Sequence, residues 1–244
     1  MAGLNAAKAP KSNGGGNRVE QPIIPAGTYP ARVAQIIDLG MQPQQPYQGQ
    51  EKPPAHEIMI TYELVDEFMV DEDGKELEDK PRWISETMPL RHIDSDLAKS
   101  TKRYKALDPQ MEHGGDFSEL LGAPCNVLII TKVVKSGKNA GKERNYVDSI
   151  SAMRPRDAQR TAELQNEAKM FTLEEPDLTI FRSLPEWLQG KIQENLEFNG
   201  SALQAALDGG GKVKEEPEDE YEEADRVAAE EAQAEDSDED DKPW

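Results

Sequence analysis

The chain has 244 residues, a formal net charge of -20, a hydrophobic share of 36% and a single cysteine. That length suits one domain of ordinary size with appendages, and so low a hydrophobic share leaves part of the chain with no core to join. The lone Cys125 excludes an intrachain disulfide framework and suits a reducing cytoplasm. No apolar run approaches the roughly 18 residues of a membrane span, and residues 1–18 lack the apolar centre of a signal peptide.

Residues 1–21, rich in Gly, Asn and Lys, read as a disordered arm. Thr28 to Leu39 mixes aromatic and β-branched residues in rough alternation and is closed by Gly40, which predicts a strand. A loop punctuated by Pro, Gln and Gly follows. His56 to Phe68 then alternates clearly, with Ile58, Ile60, Tyr62 and Leu64 on one face and Met59, Thr61 and Glu63 on the other. Asp71 to Lys75 reads as a turn and Arg82 to Leu90 as a third strand. Over residues 95–107 the period becomes helical, with Leu97, Thr101 and Tyr104 recurring and Ser95 as the N-cap. Phe117 to Leu121 forms a second short helix, opened by Asp116 and stopped by Gly122.

Asn126 to Val134 is apolar nearly throughout, as a buried strand would be, and Asn145 to Met153 pairs back on it across a tip rich in Gly and Lys. Further helices are expected at Pro176 to Phe181, Pro185 to Phe198 and Ser201 to Leu207. In the second of these, Trp187, Ile192, Leu196 and Phe198 make an apolar stripe that docks on the β domain or on a second subunit of a homodimer.

Three strands, a helical insertion and a two-stranded hairpin match the order of the five-stranded OB-fold barrel, in which a helix bridges strands 3 and 4. A generic α+β sandwich fits the same periodicities, because they fix neither register nor closure. The chain therefore divides into an arm (1–21), a mainly β domain (22–156), a helical extension (157–208) and an acidic tail (209–244).

No catalytic or metal-binding constellation stands out, and no cofactor is implied. His56, His92 and His113 sit in three different elements, with no second ligand at metal spacing. Counting an EF-hand loop back from Gly74 puts its first ligand at Met69, which cannot serve, so DEDGK reads as a solvated turn. In GKNAGKE the glycines are too close together for a phosphate loop, and Glu143 stands where Ser or Thr would hold magnesium. Cys125 has no adjacent base and reads as a small core hydrophobe. These absences argue against an enzyme.

Charge placement carries more information. Between Arg82 and Arg160 fourteen Lys/Arg stand against ten Asp/Glu, inside a chain that is strongly acidic elsewhere. One basic group is Lys99, Lys102, Arg103 and Lys105 around Tyr104. The other is Lys132, Lys135, Lys138, Lys142 and Arg144 beside Tyr146 on the hairpin. Cations interleaved with aromatics are what single-stranded nucleic acid requires, since cations neutralise phosphates and each stacked base contributes about 1–3 kcal/mol in any sequence. In an OB barrel the loops after strand 1 and between strands 4 and 5 clamp oligonucleotides. Here they hold Tyr47 with Lys52 and the Lys-rich tip, and Arg32 and Arg82 lie on neighbouring strands. Lysines on a hairpin tip also serve solubility and blunt an edge, and that reading stands beside the first. Tyr29, Tyr62 and Trp83 belong either to the core or to a binding face, and Trp187 to the core.

From Lys212 to Trp244 sixteen Asp/Glu face four Lys/Arg with almost no apolar content, which predicts disorder. The chain ends in Asp236, Asp238, Glu239, Asp240 and Asp241, then Lys242, Pro243 and Trp244.

This ending resembles that of bacterial single-strand-binding proteins, whose acidic tails close in Pro-Phe, and the whole chain resembles the single-stranded-DNA-binding proteins of tailed bacteriophages. PAGTYPARVAQIIDLG, AKSTKRYKALDP and PEWLQGKIQENL carry the likeness in the body. The resemblance implies an OB core that coats single-stranded DNA during phage replication or recombination in the host cytoplasm. Its tail would compete with DNA for the basic groove and recruit a polymerase, primase or helicase. Trp244 in place of Phe, and Lys242 beside it, depart from the pattern. The competing reading is an acidic adaptor or DNA mimic that occupies another protein's basic groove.

Overall fold

The computed structural model describes residues 19–46, 49–135, 137 and 139–209, so Tyr47, Lys138 and the acidic tail, including Asp236 to Trp244, lie outside the described residues. Strands β1 (Gly27–Gln42), β2 (Ala55–Val70) and β3 (Glu76–Pro89) form an antiparallel meander. Helix α1 (Lys99–Leu107) and a single 3-10 turn at Phe117–Leu120 lead into the hairpin β4 (Pro124–Val133) and β5 (Glu143–Ala152). Next come a four-residue helix α2 (Pro155–Ala158) and a three-residue strand β6 (Lys169–Phe171). Helices α3 (Leu178–Ser183), α4 (Glu186–Gln193) and α5 (Ala202–Gly209) complete the described chain.

The sheet order is β3-β2-β1-β4-β5, with β6 added on β1. β1 is long enough to serve two neighbours along one edge. Gly27 to Arg32 pair antiparallel with β4, and beyond the register shift at Val33/Gln35 the stretch Gln35 to Ile37 pairs parallel with β6. The strands expected from alternation are present and longer than predicted. β6 was not foreseen, because three residues carry no period.

β1 and β2 are apolar on both faces because each face has its own core. Val33, Ile36, Ile58, Ile60, Tyr62 and Leu64 point into the concave side with Val127, Ile129 and Val147 of the hairpin and Tyr104 of α1. Ile37, Leu39 and Met59 point the other way, against Phe171, Phe181, Leu188, Ile192 and Leu203 of the extension. Each such side chain contributes about 1.5–3 kcal/mol by leaving water. The extension therefore docks on its own sheet. It also grips the β1 bulge: Leu196 donates its backbone N–H to Met41 O at 2.9 Å. Gly40 there has φ +74°, and a Cβ would sit 2.6 Å from Leu173 Cδ1 and 2.8 Å from Asn195 Cγ.

The closed five-stranded barrel expected from element order is not formed. β3 and β5 approach each other, but no ladder joins them among the described residues, so the sheet is open. α1 lies across the gap instead. Its Arg103 reaches both sides, pairing with Glu86 on β3 (Nε–Oε1 2.8 Å, Nη2–Oε2 2.9 Å) and donating to Asp148 O on β5 (2.9 Å).

Three local expectations are corrected. Ser95 does not cap α1: it lies in a turn, and the helix starts after Ala98 with no side-chain cap. α4 stops at Gln193, where Asn195 turns its side chain back to Ile192 O, so Leu196 leaves the helical stripe and is exposed. The helix expected at Phe117 is one 3-10 turn, although Asp116 does accept from Ser118 N at 2.9 Å.

Candidate nucleic-acid interface

Alternation along the β4–β5 hairpin sorts its residues. Val127, Ile129 and Val147 face the core, so Leu128, Ile130 and Lys132 of β4 face outward. Ile130 lies opposite Tyr146, and Lys132 opposite Arg144. The Tyr146 ring therefore sits beside two cations, with Lys132 Nζ 5.6 Å and Arg144 Cζ 6.0 Å from its centroid. These distances are in the range where a ring's electron-rich face attracts a cation. Beyond them, the tip is set by Val134 N donating to Lys142 O and Gly141 N donating to Val134 O, both 2.9 Å, and it carries exposed Lys135 and Lys142. The result is an outward face with apolar side chains, one aromatic ring and two cations, and a tip with two more exposed lysines.

The other basic group divides. In α1 the turn of the helix points Lys102 and Lys105 to solvent and Arg103 and Tyr104 inward. Lys105 is paired with Asp96. Arg103, Glu86 and Tyr62 form a buried cluster with half-buried Lys99 at its edge, Tyr62 Oη donating to Glu86 Oε1 at 2.8 Å and Lys99 Nζ 3.5 Å from Glu86 Oε2. Burial opposes both charges, but the Arg103–Glu86 attraction and bonds outweigh it. The guanidinium is held above its ordinary value and the carboxyl below. Burial, then Glu86, pushes the Tyr62 phenol well up, so it stays a donor. Tyr104 packs edge-on against Phe117 and donates to Asp108 at 3.0 Å.

Several sequence candidates are thereby corrected. Tyr62 and Tyr104 are fully buried and Arg103 nearly so, and none can reach a base or phosphate. Arg32 is spent inside the molecule, on Gly122 O, Thr161 O, Ala162 O and Glu163. Trp83 donates its indole N–H to Glu63 at 2.9 Å, on the sheet face that meets the extension. Tyr29 is partly buried, with its hydroxyl on Pro25 O, and Arg82 donates to Pro22 O. Lys52 is partly buried in the loop after β1. So the structure assembles Lys132, Lys135, Lys142, Arg144 and Tyr146 on one hairpin, leaves Lys102 exposed on α1, and scatters the rest.

Leu128 and Ile130 were not among the sequence candidates. The signal was present in NVLIITKVV, where every second residue from Leu128 to Lys132 shares a face, but an unbroken apolar run conceals which half points out.

Burial pushes the Cys125 thiol up to about 12, which leaves it unreactive. Among the described residues no three His, Cys, Asp or Glu converge as a metal site, and no helix is long and apolar enough to cross a membrane. No protein-family model, no curated protein and no solved structure matches the chain.

Proposed function

We propose that this protein binds and coats single-stranded DNA without sequence preference, as a non-catalytic participant in phage DNA replication or recombination. The observation that carries the reading is the outward face of the β4–β5 hairpin, where Tyr146 lies beside Lys132 and Arg144 with Lys135 and Lys142 at the tip beyond. Stacking and phosphate neutralisation are both provided there. The strand order, with α1 between β3 and β4, supports an OB-like domain whose barrel is opened between β3 and β5. In this reading Asp236, Asp238, Glu239, Asp240, Asp241, Pro243 and Trp244 compete with DNA for the basic surface and recruit a polymerase, primase or helicase in the host cytoplasm.

The test is a titration of labelled oligo-dT and of duplex of equal length across salt. The reading expects preference for the single strand and a log K against log salt slope of about -0.7 per phosphate neutralised. Binding to neither would overturn it. A second reading, an acidic adaptor that occupies another protein's basic groove, draws on the β2–β3 hairpin. From Asp66 to Asp79 that hairpin holds eight acidic residues against Lys75. It expects no DNA binding in the same titration and a complex with a nucleic-acid-binding protein instead.

A further inference from the structure

The outward surface of the sheet is divided between two uses. On the β1–β2–β3 half, the segment after α2 and the helices beyond it take the surface. Glu63, buried, accepts from Gln165 N at 2.7 Å and from the Asn166 side chain at 2.7 Å, and buried Glu57 pairs with Lys191 of α4 at 3.0 Å. These carboxylates could not lie buried without those donors. The strand 2–3 face, which OB domains commonly present to oligonucleotides, is thus occupied by the chain itself.

On the β1–β4–β5 half the outward side chains remain partly in contact with solvent. Thr28 lies opposite Leu128, and Ile130 opposite Tyr146, in two adjoining rows that end at Lys132 and Arg144. Residues two apart on a strand stand about 7 Å from each other, so each row can meet a separate base. We infer that single-stranded DNA crosses this half of the sheet, with unpaired bases laid on Leu128, Ile130 and Tyr146 and the backbone held at Lys132 and Arg144. This rests on the single-strand-binding reading and fixes where on the sheet it happens. Charge complementarity names the occupant: cations at the end of an apolar strip suit a polyanion that exposes flat apolar faces. A duplex offers the phosphates but keeps its base faces stacked.

The experiment uses the full chain. Tyr146→Ala and the double variant Leu128→Thr/Ile130→Thr, whose β-branched replacements keep strand propensity, are titrated with oligo-dT across salt. Each loses affinity, by about 5- to 150-fold for the tyrosine if one stacked base is lost, with the salt slope unchanged. Lys132→Ala instead flattens the slope by about one phosphate contact. Wild-type protein cross-linked to halogenated oligo-dT gives adducts at Tyr146 or within Asn126–Lys132, which keeps the test open if the double variant does not fold. Oligo-dT binding with unchanged affinity in both variants, or adducts confined to Trp83, overturns the assignment while the general reading stands. Equal competition by polyglutamate of matched charge also overturns it, as a surface that takes any polyanion. No binding of oligo-dT by wild type removes both.

Discussion

The β2–β3 and β4–β5 hairpins have the same architecture and opposite charge, and they end on the same side of the molecule. Close to their turns they are tied by one short strap. Gln21 brackets Val70 of β2, donating to its carbonyl at 3.0 Å and accepting its N–H at 2.8 Å. Ile24 is bracketed in the same way by Asn145 of β5, at 2.8 and 2.7 Å. Since three residues span no more than about 11 Å, the turn ends of the two hairpins are close neighbours. One hairpin carries Asp71, Glu72, Asp73, Glu76 and Glu78; the other carries Lys132, Lys135, Lys142 and Arg144. Antiparallel pairing requires neither sign, so the contrast is not explained by folding. It makes this end of the domain strongly polarised over about a Debye length, with attraction for a polyanion on one hairpin and repulsion on the other.

The comparison breaks most completely at the seam where β3 faces β5. Arg103→Met removes a side chain that bonds both strands and leaves buried Glu86 with only the more distant Lys99, 3.5 Å away, of the cations described around it. A loss of about 3–5 kcal/mol in urea unfolding is expected. Adding Glu86→Leu should recover much of it, because the second change removes the stranded carboxylate. If Arg103→Met alone costs less than about 1 kcal/mol, the seam is not held by this pair.

That seam also marks the limit of what could be read in advance. The meander and hairpin were legible because alternation over His56–Phe68 and the Lys-Gly tip each point to one local structure. Lys102, Arg103, Tyr104 and Lys105 looked like one basic, aromatic surface. The helix separates them, and only a carboxylate seventeen residues earlier makes it tolerable to bury Arg103. Adjacent Ile36 and Ile37, both buried, signal a two-sided strand that no single period describes. The place of the extension depended on Glu57 and Glu63, whose partners in the extension lie 100 or more residues further along the chain. Of the proposed interface, the hairpin was foreseen, whereas the burial of Tyr62 and Tyr104 and the outward turn of Leu128 and Ile130 depend on register.

The strap gives a second, smaller way to separate the hairpins. Gln21→Ala removes both bonds to Val70 and Asn145→Ala both bonds to Ile24, besides a longer bond of each, and each should cost about 1–2 kcal/mol. Because the two side chains hold opposite ends of one short segment, their costs should not add in the double variant. Full additivity, measured by chemical unfolding of both single variants and the double, would show that the strap does not couple the two hairpins.

Neutralising the acidic hairpin tests the electrostatic half of the comparison without touching the binding strip. Glu72, Glu76 and Glu78 are exposed, and their replacement by Gln should raise oligo-dT affinity by a few-fold at low salt. The gain should fade as salt shortens the Debye length. A gain that persists at high salt would mean contact rather than field.

The smallest effect is expected from a titrating pair on the β1 bulge, where β1 meets the extension. His56 Nε2 lies 2.7 Å from Asp38 Oδ1, and Asp38 also accepts from Gly40 N at 2.8 Å and Leu173 N at 3.2 Å. The hydrogen bond to Asp38 holds the His56 imidazole above its ordinary value despite partial burial, with the Asp38 and Glu197 charges adding to it. Burial opposes the Asp38 charge, but the bonds from His56, Gly40 and Leu173 hold its carboxyl below its ordinary value. The signs follow by linkage. The histidine's contribution is complete below about pH 6.5 and is lost as pH rises through its raised folded value, while the aspartate's is lost only in acid. The His56 side chain is 39% exposed, so solvent screens the pair and the decline should be shallow. The melting temperature should drift down from pH 6 to pH 8, and His56→Gln should remove that drift. Oligo-dT affinity of the variant should match wild type across the same range, because the pair contacts the extension and not the hairpin. A parallel loss of DNA binding would tie the docking of the extension to the interface and extend the comparison to the covered half of the sheet.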